Sequence, residues 1–473
     1  MHSFSGRGQM SPVNKLKDRV NHALKQPNRR NFRSAMNFLI EKRKKQFDDD
    51  ECFQNLRLEA HNIKQNVINN QAQLLLKLES KLKENGIKVH WASDATQANQ
   101  IIYQILNHAK VKSVAKGKSM VTEEIGLNQF LSDKGIEITE SDLGEFIVQL
   151  AQETPSHIVM PAIHKSKAEI AKILHQHFPQ YGYTEDVKLL TQIARTILRD
   201  KFQNADAGIS GVNFLVVETG TMCLVENEGN GRLSTTVPPL HIAVSGIEKL
   251  VEKLTDVPPL LELLTKSATG QEITTYFNMI SHPRLDGEKD GPKEVHLVLL
   301  DNGRTQISAN KADILSCIRC GSCINHCPVY VQIGGHAYGT VYPGPIGIAL
   351  EPMLQGLDKQ GELISACTLC GKCNLVCPMK IPLTKIIKQL RFEAVNSGQI
   401  KGAGSQTLAR IAWYFWQLIY RKPVFYRLTT FFICKLRFLT PKKLGAYSKY
   451  RNISKPAKTP MRSLVRQHGF DYE

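Results

Sequence analysis

Eight of the eleven cysteines in this 473-residue chain stand in two short runs that share one spacing. The runs are Cys317-x2-Cys320-x2-Cys323-x3-Cys327 and Cys367-x2-Cys370-x2-Cys373-x3-Cys377, each followed by a proline. Proteins that hold two 4Fe–4S clusters use this spacing. Three thiolates two residues apart bind three corners of a cubane, and the fourth binds the other cluster. The sequence therefore predicts two 4Fe–4S clusters.

The predicted ligand sets are crossed between the two runs. The first cluster takes Cys317, Cys320, Cys323 and Cys377, and the second takes Cys367, Cys370, Cys373 and Cys327. Gly321 and Gly371 permit the tight turns that each run requires. Since every iron then has a thiolate, the pair is interpreted as a path for single electrons and contributes no substrate chemistry.

Two zinc sites are the alternative for these cysteines. Zinc sites usually pair two C-x2-C segments and need four ligands, so the repeated fourfold run favours iron–sulfur clusters. The other three cysteines, Cys52, Cys223 and Cys434, have no partner in the sequence and are interpreted as small buried apolar side chains.

Catalytic residues cannot be assigned from the sequence, but three weak candidates stand near predicted strand ends. They are Glu218, Arg232 and His241. Arg232, in a predicted glycine-rich loop, could bind a carboxylate through two hydrogen bonds, and His241 could transfer a proton near neutral pH. The structural alternatives are an Arg232 that pairs with Glu226 or Glu228 and a His241 that belongs to the core.

A further polar group occupies a predicted strand-to-helix junction. It comprises Lys116, Lys118, Ser119 and Glu123, and such a junction can hold an anion at a helix N-terminus. The alternative is that the two lysines are simply solvated. The chain has neither a G-x-G-x-x-G after a strand nor a P-loop, so no NAD-linked or other nucleotide site is predicted.

The elements that must position these residues fall into four predicted segments. Residues 1–92 form a basic tail followed by long helices, 93–304 an α/β domain, 305–400 the two-cluster domain, and 401–473 a basic, aromatic extension. Short β-branched runs between turn residues predict the strands. They lie at 85–92, 111–117, 135–141, 157–161, 214–220, 222–228, 241–246 and 294–303.

Charge is concentrated at the two ends of the chain. Residues 1–46 carry a net charge of +10 and residues 401–473 one of +13, within a total of +18. In residues 409–439, Lys and Arg side chains recur between aromatic ones. This pattern fits a helix at a membrane surface, but we favour a helical pair packed on the core of the protein or on a subunit. Nucleic-acid binding is not predicted, because redox clusters give it no purpose.

No secretory signal and no spanning helix are apparent in the sequence. A cytoplasmic location follows as an expectation, with the inner face of the cell membrane as an alternative. In that compartment thiols stay reduced, which agrees with their use as metal ligands.

Taken together, these features resemble a known family. The segment DAGISGVNFLVVETGT…GNGRLSTTVPPLHIAV is similar to the LUD (lactate-utilisation) domain, and the cysteine runs and aromatic tail follow in the order of the lactate-utilisation protein B family. The resemblance implies an α/β sheet like that of sugar-phosphate isomerases and CoA transferases, joined to an α-helical ferredoxin-type domain.

The resemblance also implies a function and partners. The chain would be the iron–sulfur electron-transfer subunit of a complex that oxidises L-lactate to pyruvate without NAD and feeds a respiratory acceptor. A cysteine-rich-domain subunit and a second LUD-domain subunit would be its partners; whether a flavin is present is unknown. The alternatives are a complex for another 2-hydroxy acid, such as glycolate, and a LUD domain that only docks partners.

Overall fold

The structure is a computed structural model that describes residues 16–26, 29–397, 406–441 and 454–469. Contacts divide the chain into two compact units, Met1–Gln399 and Ile400–Glu473. The ends of the predicted basic tails, 1–15 and 470–473, and the segment 442–453 lie outside the described residues.

A six-stranded parallel sheet forms the centre of the first unit. Its strand order is β1-β10-β7-β4-β2-β3. The strands are β1 (Lys88–Ala92), β2 (Ser113–Lys116), β3 (Glu137–Glu140), β4 (Ala207–Ser210), β7 (Leu240–Gly246) and β10 (Glu294–Leu300). Because all of them run the same way, their carboxyl ends meet at one edge of the sheet.

A smaller mixed sheet has the order β8-β5-β6-β9. It is built from β5 (Phe214–Val216), β6 (Thr221–Glu226), β8 (Leu250–Val251) and β9 (Tyr276–Ile280). The sequence predicts β5 and β6 as neighbours joined by a turn, and they pair antiparallel. β9 was not predicted; its side chains are exposed or half-buried, so its sequence lacks the apolar run of an interior strand.

Helices cover both faces of the parallel sheet. Those of the α/β region are α5 (Ala95–His108), α6 (Met120–Glu124), α7 (Leu127–Asp133), α8 (Leu143–Leu150), α9 (Lys167–His177), α10 (Val187–Gln203), α11 (Asn230–Thr236) and α12 (Val257–Thr269). On β10, Val298 and Leu300 pack towards α5 and α7, whereas Leu297 and Leu299 face the opposite way. This double coverage explains why the strands are apolar on both faces.

Four helices precede the sheet: α1 (Leu16–Ala23), α2 (Arg29–Gln46), α3 (Asp50–Asn69) and α4 (Gln71–Glu84). The sequence predicts a helical stripe of Ile63, Val67, Leu74, Leu78 and Leu82. Ile63 is half-buried, and the other four are buried against β10 and the small sheet. The sequence predicts that residues 1–26 are disordered or loosely docked, whereas α1 makes specific contacts. Its Leu16 is buried, and Arg19 donates to the carbonyls of Ala337 and Tyr338.

The cysteine-rich region consists of short helices. They are α13 (Ser322–Asn325), α14 (Tyr330–Ile333), α15 (Gly344–Gln355), α16 (Leu357–Gln360), α17 (Lys372–Val376) and α18 (Leu383–Asn396). The helix α15 follows the first cysteine run, and α18 follows the second. In α15 the first nine residues are all buried, so this helix is the core of the region.

Two expectations within the α/β region are wrong. Residues 157–161 form no strand, because the Nδ1 atom of His157 accepts the amides of Val159 and Met160 and folds the segment into a turn. The predicted glycine-rich loop at Arg232 is the helix α11. Its first amides, those of Gly231 and Arg232, bind the Glu226 carboxylate at 2.5 and 2.7 Å, which stabilises the helix start.

The second unit contains α19 (Gln406–Arg421), α20 (Pro423–Lys435) and α21 (Met461–His468). Many aromatic side chains of α19 and α20 are exposed within it, including Trp413, Tyr414, Trp416, Phe431 and Phe432. Across the described part of the chain, no helix is both long and apolar enough to cross a bilayer.

Candidate metal centres

The two cysteine runs have the same backbone conformation. Arg319 and Leu369, each immediately before the second cysteine of its run, have φ of 61° and 55°, and Gly321 and Gly371, each immediately after it, have φ of 76° and 79°. In each run the amide two residues after the first cysteine donates to its sulfur, at 3.4 Å for Cys317 and 3.3 Å for Cys367. The glycines therefore supply the turns that the sequence analysis expected of them.

The first group of thiols lies around Cys317. Burial raises the pKa of Cys320, and the neighbouring thiols of Cys317 and Cys377 raise it further. Burial also raises the pKa of Cys377 to about 11, with a smaller contribution from Cys317. Since Cys377 belongs to the second run, the chain brings one thiol of that run to the thiols of the first.

The second group is the mirror of this arrangement. Burial raises the pKa of Cys373 to about 12, and Cys367, Cys327 and Cys370 raise it further. A small cavity is lined by Cys327, Cys367, Cys370 and Cys373, together with Pro328, Pro345 and Ile348. Cys370 is exposed, so this group lies at the surface, as do Leu369 and Leu375 beside it.

Two groups of four soft sulfur donors fit iron–sulfur cubanes. Burial raises the pKa of Cys320, Cys323, Cys327, Cys373 and Cys377, which favours their neutral form in the absence of a cation, and metal binding would release their protons. The remaining cysteines do not join either group. Cys223 is buried on β6 as expected, whereas Cys52 is exposed at the start of α3 and Cys434 is half-buried, so the sequence interpretation fails for Cys52.

A buried network of charged groups lies beyond the carboxyl ends of β7 and β10. The Arg304 guanidinium donates to Glu248 at 2.6 Å and to both oxygens of Glu124, at 2.8 and 3.0 Å. Arg319, from the first cysteine run, reaches Glu248 at 3.3 Å and lies 4.7 Å over the Tyr342 ring. These residues join the α/β domain to the cluster region.

The Arg304 and Arg319 guanidinium groups hold the pKa of Glu248 at about 2, against the effect of burial. Tyr342 donates its hydroxyl proton to Glu124 at 2.9 Å. This network has no signature in the sequence, because its members are far apart along the chain and share no motif. The crevice in which open α/β sheets usually bind ligands is thus occupied by paired charges.

The weak catalytic candidates do not converge. Arg232 is exposed on α11, Glu218 is exposed and accepts the Leu254 amide, and His241 is fully buried on β7. Within the part of the chain that the structure describes, no hydrogen bond or ion pair joins the three side chains. His241 bonds Ser210 at 2.8 Å, and burial lowers its pKa to about 4, so it behaves as a core histidine.

The predicted anion-binding group is closed by its own contacts. Lys116 is buried and pairs with Glu140 at 2.8 Å and Glu123 at 3.4 Å, while Lys118 donates to the Val159 carbonyl. Ser119 caps the five-residue helix α6 through the Thr122 amide. Neither lysine is simply solvated, and neither is free to bind an anion.

A cluster that no motif predicts contains Glu153, His164 and His336. One ligand atom from each lies within 4.8 Å of the others. Its carboxylate already accepts from His164 at 2.6 Å and Lys165 at 2.5 Å, which hold the pKa of Glu153 at about 2 despite burial. These side chains are therefore interpreted as an ion-pair group between the α/β domain and the cysteine-rich region.

Comparison with protein families matches three successive segments. The LUD domain matches residues 75–300, the 4Fe-4S dicluster domain residues 313–381, and the family "Lactate utilisation protein B, C-terminal" residues 389–470. The α/β region, the cysteine-rich region and most of the second unit therefore each have a counterpart in a known family.

Curated relatives match across most of the chain. The chain is 40% identical to an uncharacterised electron transport protein, YkgF, of Escherichia coli K12 over 84% of both chains. It is 43% identical to lactate utilization protein B of Bacillus subtilis 168 over 71% of both chains. A DUF162-family crystal structure from Deinococcus radiodurans aligns over 49% of this chain and 98% of its own, with 14% identity and a TM-score of 0.28.

Proposed function

Because the chain belongs to the lactate utilisation protein B family, we propose that it is an iron–sulfur electron-transfer subunit in bacterial lactate utilisation. The observation that carries this proposal is the arrangement of eight cysteine thiols in two groups of four. The printed name of the E. coli relative, an electron transport protein, agrees with it.

The proposed ligand sets follow the grouping of the thiols. Cys317, Cys320, Cys323 and Cys377 hold one 4Fe–4S cluster, and Cys367, Cys370, Cys373 and Cys327 hold the other. Two observations support the crossed sets. Cys377 raises the pKa of Cys320, and Cys327 lines the same cavity as the cysteines of the second run. When bound, such clusters accept and release single electrons, and the protein orients and insulates them.

The reaction served is proposed to be the NAD-independent oxidation of L-lactate to pyruvate. A cysteine-rich-domain subunit and a second LUD-domain subunit are the proposed partners, and the complex passes electrons to a respiratory acceptor. A substrate panel on the assembled complex tests the choice of 2-hydroxy acid. If the complex reduced its acceptor faster with glycolate than with L-lactate, glycolate would be assigned as the substrate instead.

For the LUD domain of this chain, the buried network favours a docking role over a catalytic one. Arg304, Glu248 and Glu124 are fully engaged at the carboxyl edge of the sheet, where a substrate would otherwise bind. R232Q and H241Q in the assembled complex test this role. Full activity is expected for R232Q. A kcat loss of a hundredfold or more in either variant, at normal iron content, would instead indicate that the domain is catalytic.

The primary test is the metal content of anaerobically purified protein. About eight irons and eight sulfides per chain are expected, with interacting reduced 4Fe–4S signals in the low-temperature EPR spectrum after dithionite. C320S and C373S, one from each group, should each remove about half of the iron. About two zincs and no iron would overturn the electron-transfer proposal.

A further inference from the structure

Four buried cations surround the first group of thiols. They are Arg43, Arg57, Lys64 and Lys249, and each is between 3% and 8% exposed. Arg43 lies on α2, Arg57 and Lys64 on α3, and Lys249 just after β7. Arg57 and Lys64 are seven residues apart, so two turns of α3 present both to the same side.

Three of these cations donate to carbonyl oxygens next to the cysteine run or the network. Arg43 binds the Val376 carbonyl at 3.2 Å, and Arg57 binds that of Cys377 at 2.9 Å. Lys64 binds the carbonyls of Glu248 and Leu250 at 2.7 and 2.9 Å. Among the described residues, none of the four cations makes an ion pair with a carboxylate; Glu248, the nearest buried acid, pairs with Arg304 and Arg319.

Burying a cation without an anion is costly. The cost is visible at both lysines, because burial lowers the pKa of Lys64 to about 7 and that of Lys249 to about 8. The Glu248 carboxylate and, to a smaller extent, the Cys317 thiol oppose the lowering of the pKa of both lysines, and Cys320 and Cys377 oppose the lowering of the Arg43 pKa. An anionic cluster held by the first group of thiols would therefore add a counter-charge beside all four cations.

The second group has a different environment. The pKa values of Cys327 and Cys373 are shifted by burial, by backbone amides and by the thiols of their own group. Lys372, one position before Cys373, lines that cavity but is exposed, and the half-buried Arg391 of α18 donates to the Cys367 carbonyl at 2.5 Å. The two sites therefore share their ligand chemistry but differ in how deeply the cations beside them are buried.

We propose that Arg43, Arg57, Lys64 and Lys249 form a counter-ion shell that selectively raises the reduction potential of the cluster held by Cys317, Cys320, Cys323 and Cys377. This inference rests on the proposed function. A cubane with four thiolates is a net anion, and one-electron reduction adds a negative charge, so nearby buried cations stabilise the reduced form. An electron that enters the pair would therefore reduce the first cluster in preference to the second.

An EPR-monitored potentiometric titration of the full-length, iron-loaded protein tests the shell. K64M is expected to shift the reduction equilibrium of one cluster about tenfold, which is about 59 mV to lower potential for one electron, and to leave the other unchanged. K64R keeps the charge and should retain the wild-type potential. R57M, which acts through a different helix turn and a different thiol, should shift the same cluster as K64M.

K372M is the matched control, because it removes a cation beside the second cavity and should move the other cluster. Equal shifts of both clusters in K64M, or no shift in K64M and R57M at full iron content, would overturn the shell. A protein that carries no iron would overturn the proposed function itself, so the two failures are distinguishable. If K64M fails to load iron while K64R loads it, R57M decides the question.

Discussion

At the scale of single residues, His157 shows how one side chain fixes a connection between domains. Its Nδ1 accepts two backbone amides at 3.1 Å, and its Nε2 donates to Asn325 of α13 at 2.8 Å. This pattern requires the neutral ring with its proton on Nε2. Complete burial lowers the pKa of His157 to about 4.

His157 should make the protein sensitive to acid. Its folded pKa lies below the ordinary 6.5, so its stabilisation is complete above pH 6.5 and is lost as the pH falls from 6.5 towards 4. The loss is on the order of 3 kcal/mol. H157Q should narrow the difference in thermal unfolding midpoint between about pH 7 and about pH 5. H282Q, at an exposed position, should keep the wild-type difference; an unchanged pH dependence in H157Q would contradict this assignment.

The paired glycines of the two cysteine runs give a second prediction. Alanine at Gly371 meets no atom within 4 Å, so G371A should cost only the backbone strain of positive φ, about 1 kcal/mol. Alanine at Gly321 would also place its Cβ 3.2 Å from His157 and 3.3 Å from Val159. G321A should therefore lower the unfolding midpoint and the iron content more than G371A. The reverse order would show that the space beside Gly321 is not limiting.

At the scale of elements, the contact between α11 and β4 depends on one small residue. A Cβ at Gly208 would lie 1.7 Å from the Ser234 carbonyl oxygen, whereas one at Gly117, after β2, would lie 3.6 Å from its nearest neighbour. G208A should destabilise the fold by about 3 kcal/mol or prevent folding. G117A should remain within about 0.5 kcal/mol of wild type in the same denaturation experiment, and equal losses would contradict the close packing.

The elements also show what the sequence could predict. The cysteine runs and the strands β2, β3, β5, β6, β7 and β10 were predicted because spacing and apolar runs are local properties. The segment at His157 was not, because a side chain satisfies the amides that a strand would pair. The network of Glu124, Glu248 and Arg304 was missed because folding alone brings these distant residues together.

At the scale of the whole molecule, the eight cysteines and every described partner of their thiols fall within the first unit. A fragment ending at residue 399 should therefore keep the iron content and EPR spectrum of the full chain. It would lack the exposed aromatic side chains of α19 and α20, so it should bind less to subunits of the complex. Loss of iron from this fragment would show that the second unit supports the clusters.

The exchange of one thiol between the two cysteine runs has a consequence for synthesis. With the proposed ligand sets, the first group has its four thiols only once the chain has emerged from the ribosome beyond Cys377, and the second group only once it has emerged beyond Cys373. The LUD domain, which lies earlier in the chain, can fold first. Loading of both centres is then a late and joint event on the nascent protein, and a chain truncated between the runs would have no complete centre to load.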